Sequence, residues 1–454
     1  MYINMPIYVE KCIKYIERSG FEAYIVGGCV RDSIIGKRPN DWDICTSATP
    51  EVIKEIFKNE KTIDVGIEHG TVVVMIDNEA IEITTFRIDG EYSDGRKPDS
   101  VEFTARLIED LSRRDFTINA IAYNHRSGIV DYFNGIRDIE NKIIRCVGNP
   151  EKRFKEDALR IMRALRFMTQ LNYNIEEQTL IAINNNRELI KKISVERVII
   201  ELNKLILSDY PRKGIKEIIN MDIMAIVISG LKGYENKFKC NPFNEKVCVR
   251  AIENSPKQLY IRLTIFLYYL LNCHNDEITS LNSKEDRSSI SPKCNIDIKS
   301  KCEIILKALH YDNNTIKKVS TLIAYYDTPI YEDKAYIKRI LQNIGIETFH
   351  ELIVIKDITK MCLEKENLKM ERKFNISRSY IEKILEEILR NNEAYNKSHL
   401  KITGKDLIRL GIREGIVVGK ILDELLEIVI KEPQDNCKEK LLIYAQQIYV
   451  NLKN

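Results

Sequence analysis

The chain has 454 residues, 44% of them apolar and 30% charged, with a net charge of +3. That length suits two to four domains, and that composition buries a core. So small a net charge argues nothing by itself, and any polyanion partner would have to be met by local basic clusters. The eleven cysteines run from Cys12 to Cys437 without a C-x-x-C pair, against a disulfide framework or a zinc site and in favour of buried, reduced thiols. No apolar run approaches the ~18 residues of a membrane span. The expectation is a cytoplasmic protein with no membrane partner.

The N-terminal MYINMPIYVEKCIKYIERSG carries charges throughout and predicts an amphipathic helix rather than a signal peptide. Strand patterns follow at Ala23–Val26, Thr71–Ile76, 80–86 and 100–103, with helical runs around them. From about Gly148 helical periodicity dominates, as in RFKEDALRIMRALRFM, VERVIIELNKLIL and VGKILDELLEIVI. The reading is an α/β domain followed by all-helical domains. A polar stretch at 273–301 reads as a long loop or linker, and no internal repeat stands out.

The chemistry gathers in the first domain. Gly27 and Gly28 follow the apolar run Tyr24-Ile25-Val26. Glycine lets backbone approach a phosphate closely, a helix starting near Cys29 would aim N–H groups at an anion, and Arg31 adds a fixed positive charge. A plain tight turn is the simpler reading. Neither a P-loop nor a G-x-G-x-x-G sequence occurs. In DWDI, a strand would turn Asp41 and Asp43 to one face and Trp42 to the other. Two such carboxylates repel unless a cation sits between them, and a hard ion such as Mg²⁺ fits oxygen ligands and triphosphate oxygens. Two ordinary aspartates in a solvated turn are the alternative. Glu82, in AIEITTFR, lies on the face opposite Ile81 and Ile83 and is a candidate third carboxylate, or a surface glutamate. LSRRDFTINAIAYN predicts a helix capped by Ser112 with Asp115 three residues on, which would set Arg113 and Arg114 near bound phosphates.

Segment 154–168 predicts one helix whose apolar face holds Ala158, Ile161, Met162, Leu165 and Met168. Glu156, Asp157, Arg160 and Arg163 share the other face, at spacings suited to ion pairs. Without further context that is an exposed, ion-paired helix face.

The order GGCVRD, DWD, RRDFTINA, DYFNG and EDALRIMRALRF resembles the class II tRNA nucleotidyltransferases, the CCA-adding enzymes and their bacterial poly(A) polymerase relatives. The likeness is dense over 24–167 and thinner through ISVERVIIEL to ITGKDLIRLGI. It implies an α+β fold: a polymerase-β-like nucleotidyltransferase head at 1–147, a base-recognising helical neck at 148–210, a helical body at 211–330 and a tRNA-binding helical tail at 331–454. It implies nucleotidyl transfer with CTP and ATP onto the tRNA 3′ end, with Mg²⁺ held by Asp41 and Asp43, Glu82 as a third catalytic carboxylate, and a second metal at the leaving pyrophosphate. Arg31, Arg114 and the Gly28 backbone would hold the triphosphate. Asp157 would accept from the exocyclic amine of cytosine or adenine while Arg160 donates to the ring. Guanine and uracil would meet that pair with clashing polarity. Arg163 and Arg166 are implied nucleotide contacts, although Arg166 lies off the polar face. The turn-rich segment 89–103 resembles the flexible loop of A-adding members, which argues against a CC-only enzyme. Full CCA addition, A-addition alone and poly(A) synthesis remain open, as does a silent RNA-binding protein. The resemblance also gives ISVERVIIEL, with Ser194 as its cap, a bracing role, and the C-terminal GKDLIRLGIREGIVVGKIL, including Lys405, a contact with the tRNA elbow. Segment 231–370 carries no readable motif, and the oligomeric state is open.

Overall fold

The computed structural model describes residues 1–64, 66–90, 92, 98–230, 242–271, 294–365 and 377–452. The chain divides into two compact units, Met1–Glu235 and Asn236–Asn454.

The first unit opens with α1 (Ile7–Arg18), which buries Val9, Cys12, Ile13 and Ile16 along one stripe. Then come β1 (Ala23–Val26), α2 (Gly28–Ile34), β2 (Asp43–Thr46), α3 (Pro50–Ile56), β3 (Lys61–Ile63), β4 (Thr71–Ile76), β5 (Glu79–Thr85), β6 (Arg87–Asp89) and β7 (Val101–Phe103). The unit continues through α4 (Leu107–Ser112), β8 (Ile121–Asn124), β9 (Gly128–Asp131), α5 (Gly135–Glu140), β10 (Ile143–Ile144), α6 (Pro150–Glu156) and α7 (Leu159–Leu171). It ends with β11 (Asn174–Ile175), α8 (Glu177–Asn186), α9 (Val195–Ile206), α10 (Pro211–Asn220) and α11 (Ile223–Val227).

Seven strands form one sheet in the order β3-β4-β5-β2-β1-β8-β9. Every neighbouring pair is antiparallel except β2 and β5, which run parallel with Asp43 opposite Glu82. One face of the sheet packs Tyr24, Val26, Cys45, Ala120 and Ala122 against Phe86, Leu107, Leu111 and Val147. The fold is α+β, as expected. Helix α10 packs on α7 and α9, so 211–220 is continuous in packing with the helices before it.

The second unit holds α12 (Pro242–Asn254), α13 (Leu259–Leu271), α14 (Ile296–Ala308), α15 (Asn313–Tyr325), α16 (Lys334–Lys365, broken at Gly345), α17 (Arg378–Arg390), α18 (Gly404–Arg409), α19 (Ile416–Lys431) and α20 (Lys438–Asn451). No strand occurs among its described residues. None of the described helices is long and apolar enough to cross a membrane.

Three local expectations change. LSRRDFTINAIAYN is not a helix: Ser112 ends α4, its hydroxyl donating to the Glu109 carbonyl at 2.7 Å, and 121–124 is a buried strand. Asp115 explains the change, because its carboxylate accepts from the Phe116 N–H and the Asn119 amide rather than capping a helix. Segment 154–168 is two helices, α6 and α7, with Asp157 extended between them at φ −143° and ψ 103°. Here the Asp157 carboxylate accepts from the Leu159 N–H at 3.0 Å, a local bond that competes with helix continuation. Of the expected linker at 273–301, residues 273–293 lie outside the described residues, whereas 296–301 begin α14 behind an Asn295 cap.

Candidate active site

The turn after β1 depends on Gly27, whose φ of 82° favours glycine. A Cβ there would also stand 3.2 Å from Arg114 Nη1. The conformational need therefore falls on Gly27, while Gly28 is the first residue of α2. Arg31, one turn along, is buried: it donates to Asn119 Oδ1 at 2.5 Å and to Asp32 Oδ1 at 2.8 and 2.9 Å.

The carboxylates collect at the beginning of β2. Asp43 starts the strand, and Asp41 and Trp42 precede it, so the alternation expected of DWD holds only from Asp43 onward. Parallel pairing sets Glu82 beside Asp43, and Ile81 and Ile83 take the core face as predicted. Although accessible to solvent, Asp43 is closely surrounded by protein. Lost hydration first, then Asp41 and Glu82, push its carboxyl up to about 6, and Arg114 only partly offsets them.

Next to this edge the charges are paired. Asp110, fully buried, accepts from Arg113 at 2.7 Å and from Arg114 at 3.1 Å. Burial opposes its charge, but the two arginines hold its carboxyl below the ordinary range. Burial works against the Arg114 guanidinium too, yet Asp110, with help from Asp43, raises it. Asp115 is buried and binds Arg163 at 2.5 and 2.7 Å. Despite its desolvation it is held down to about 2, chiefly by Arg163 and Asn119. Arg166 lies 2.8 Å from Glu201 of α9 without hydrogen-bond alignment, and burial pulls its guanidinium down to about 10. Arg31, Arg163 and Arg166 surround the Phe167 ring at 5.1, 5.4 and 4.2 Å. The helix face expected at 154–168 is ion-paired but not freely exposed: Arg160 is buried and Glu156, Asp157 and Arg163 are half-buried, with partners on α9 and in the 113–119 segment.

Asp157 and Arg160 do not pair with each other. Asp157 binds Arg197 of α9 at 3.0 Å; Arg160 binds Glu156 at 3.1 Å and the Arg113 carbonyl at 3.0 Å. Both nevertheless line one cavity of about 390 Å³, together with Glu82, Asp89, Tyr92 and Arg113. An aspartate has about four acceptor sites and an arginine five N–H groups, so each keeps unused capacity toward the cavity. The cavity's size is that of a small-molecule site. Segment 89–103 supplies part of its wall through Asp89, Tyr92 and Pro98. Its residues 91 and 93–97 lie outside the described residues.

Among the described residues no three His, Cys, Asp or Glu side chains form a ready-made metal cage. The strand-edge carboxylates still fit a hard divalent ion, which typically takes one or two carboxylates and completes its shell with phosphate oxygens and water. Their mutual repulsion, read in Asp43, is what a cation would relieve.

The structure therefore brings Asp41, Asp43 and Glu82 together, and Glu82, Asp157 and Arg160 onto one cavity. It places Arg31, Arg114, Arg163 and Arg166 in the paired lattice. Sequence reasoning missed Asp110, Asn119, Arg197 and Glu201, which hold those residues. A signal existed in VERVIIEL, whose Arg197 and Glu201 share a face at i,i+4. Ser194 precedes α9 as expected, but its side chain makes no capping bond.

The Poly A polymerase head domain family matches residues 23–145. The family described as "Probable RNA and SrmB- binding site of polymerase A" matches 172–234, and tRNA nucleotidyltransferase domain 2 matches 293–445. The CCA-adding enzyme of Ligilactobacillus salivarius is 35% identical over 450 residues, covering 98% of each chain. That of Lactobacillus helveticus is 54% identical over 202 residues, covering 44% of this chain and 50% of its own. The crystal structure of the Bacillus stearothermophilus CCA-adding enzyme in complex with CTP superposes with a TM-score of 0.74 at 29% identity, over 99% of this chain and 100% of that one.

Proposed function

The chain belongs to the CCA-adding enzyme family of class II tRNA nucleotidyltransferases, and from that premise we propose that it adds C, C and A to the tRNA 3′ end from CTP and ATP, releasing pyrophosphate. It is a nucleotidyltransferase. The observation that carries the site assignment is the position of Glu82, which neighbours Asp43 on the sheet and lines the cavity that also holds Asp157 and Arg160. A strand edge suited to phosphate chemistry thus adjoins a pair suited to reading a base.

Nucleotidyl transfer in this family needs a divalent metal ion, and we assign Mg²⁺ to Asp41 and Asp43, with Glu82 beside them. Bound there, the ion would supply Lewis-acid activation of the RNA 3′-hydroxyl and offset charge at the α-phosphate. Arg31 and Arg114, with the Gly28 backbone, hold the triphosphate. Both guanidiniums are already oriented by Asn119, Asp32 and Asp110, so little ordering remains on binding.

Base choice falls to Asp157 and Arg160. The Arg197 contact orients Asp157 as an acceptor for the exocyclic amine, and Glu156 with the Arg113 carbonyl aims Arg160. Arg163 and Arg166 contribute positive charge behind the base through their stack on Phe167. The reduced cysteines and a tRNA substrate support a cytoplasmic location.

The test uses purified protein, Mg²⁺, CTP and ATP with tRNA transcripts ending before CCA, after C and after CC. Growth of all three to CCA is expected. Growth of the CC-ending transcript alone would make it an A-adding enzyme, long A-tails would make it a poly(A) polymerase, and no growth would leave an RNA-binding protein.

A further inference from the structure

The first unit holds another cavity, of about 770 Å³, that shares no lining residue with the one beside Asp157. Its wall comes from the C-terminal end of α2, from β9 and α5, and from the end of α7. Ile34, Ile35, Ile136 and Leu171 line it and are each only half buried. A folded chain normally packs such side chains against one another, and an accessible apolar hollow of this size falls in the range of small-molecule sites.

Tyr173 supplies the second observation. Only 5% of it is exposed, it lines the same cavity, and its phenol has no hydrogen-bond partner among the described residues. Buried tyrosine hydroxyls usually find a partner. Tyr173 is one of the residues that line the hollow, so a ligand there can supply the missing partner. Burial raises its pKa, which leaves it a neutral donor.

Charge supplies the third. Lys37 and Lys142 both line the cavity, and neither is in an ion pair among the described residues. The backbone of Lys142 is fixed at φ 57° by bonds to Ile139 and Asn174. Glu140 is the one side-chain carboxylate among the lining residues, so the lining side chains carry a net positive charge of one.

We propose that this cavity binds a small amphipathic anion, an apolar body bearing a single carboxylate or phosphate, with its head between Lys37 and Lys142 within reach of the Tyr173 hydroxyl and its body against Ile34, Ile35, Ile136 and Leu171. A neutral apolar ligand would leave both ammonium groups and the phenol unmatched. A dianion without an apolar body would leave the aliphatic wall wet.

Calorimetric titration of the full chain with octyl phosphate, octanoate and octanol tests this. Both anions should bind, and octanol at least about tenfold more weakly; the tighter of the two anions identifies the head group. The double variant Lys37→Met, Lys142→Met should lower affinity for the tighter anion about tenfold or more while leaving CMP incorporation unchanged. Tyr173→Phe should lower it several-fold, and Ile136→Trp, which fills the cavity, should abolish binding. Affinity should not change when CTP is saturating. Equal binding of octanol, no binding of any probe at millimolar concentration, competition with CTP, or an unaltered affinity in the double lysine variant would each overturn the proposal.

Discussion

Two neighbouring groups of carboxylates in the first unit behave in opposite ways. At the β2–β5 edge, Asp41, Asp43 and Glu82 converge, Arg114 only partly opposes them, and the Asp43 carboxyl rises to about 6. In the lattice beside it, Asp110, Asp115 and Glu201 each face an arginine, and Asp115 falls to about 2. The residue types are the same, and the partners decide. Carboxylates gathered against one another hold a place for a cation, and carboxylates matched to guanidiniums hold the fold.

That contrast predicts which substitutions cost activity and which cost stability. The largest effect is expected from Asp43→Asn: CMP incorporation measured by rapid quench should fall about a thousandfold or more, near 4 kcal/mol of transition-state stabilisation. The metal-free melting temperature should hold or rise, because one repelling charge is gone. A melting temperature that collapses would show the edge to be structural. Glu201→Gln should do the reverse. It leaves the buried Arg166 unpaired, and urea unfolding should show a loss of about 3 kcal/mol.

A third test uses pH. Asp115 has a depressed pKa, so its contribution is complete above its unfolded value near 4 and disappears as pH falls toward about 2. About 2 kcal/mol should be lost in that window, and Asp115→Asn should flatten that part of the stability profile. An unchanged acid limb would show that the Arg163 pair is not what holds Asp115 down. The smallest effect is expected from Glu156→Gln, which removes the carboxylate that aims Arg160: stability should fall by about 1 kcal/mol or less. Discrimination of CTP against UTP should weaken severalfold while Asp157→Ala removes most of it.

The legibility of the site followed the range of the interactions. DWD and AIEITTFR disclosed Asp43 and Glu82 because strand alternation is local and Ile81 and Ile83 mark the core face. EDALRIMRALRF disclosed Asp157 and Arg160 as residues but not their partners, because Arg197 stands forty positions away and the Arg113 carbonyl forty-seven. The helix expected from Ser112 onward failed for a related reason. The Asp115 side chain finds Asn119 and Arg163, and 121–124 finds β1 and β9, whereas the capping pattern spans only four residues.

By itself the sequence determined the succession of an α/β head and helical segments, the core faces of its strands, and the motif order that points to nucleotidyl transfer. These depend on spacing along the chain, where periodicity and turn chemistry act within a few residues. Only the tertiary structure decided that Asp43 stands beside Glu82, that Asp157 breaks a helix to meet Arg197, and that Arg166 is buried on Glu201 rather than free in solvent. A charge takes its free energy from whatever surrounds it in space, and folding chooses those neighbours from distant parts of the chain.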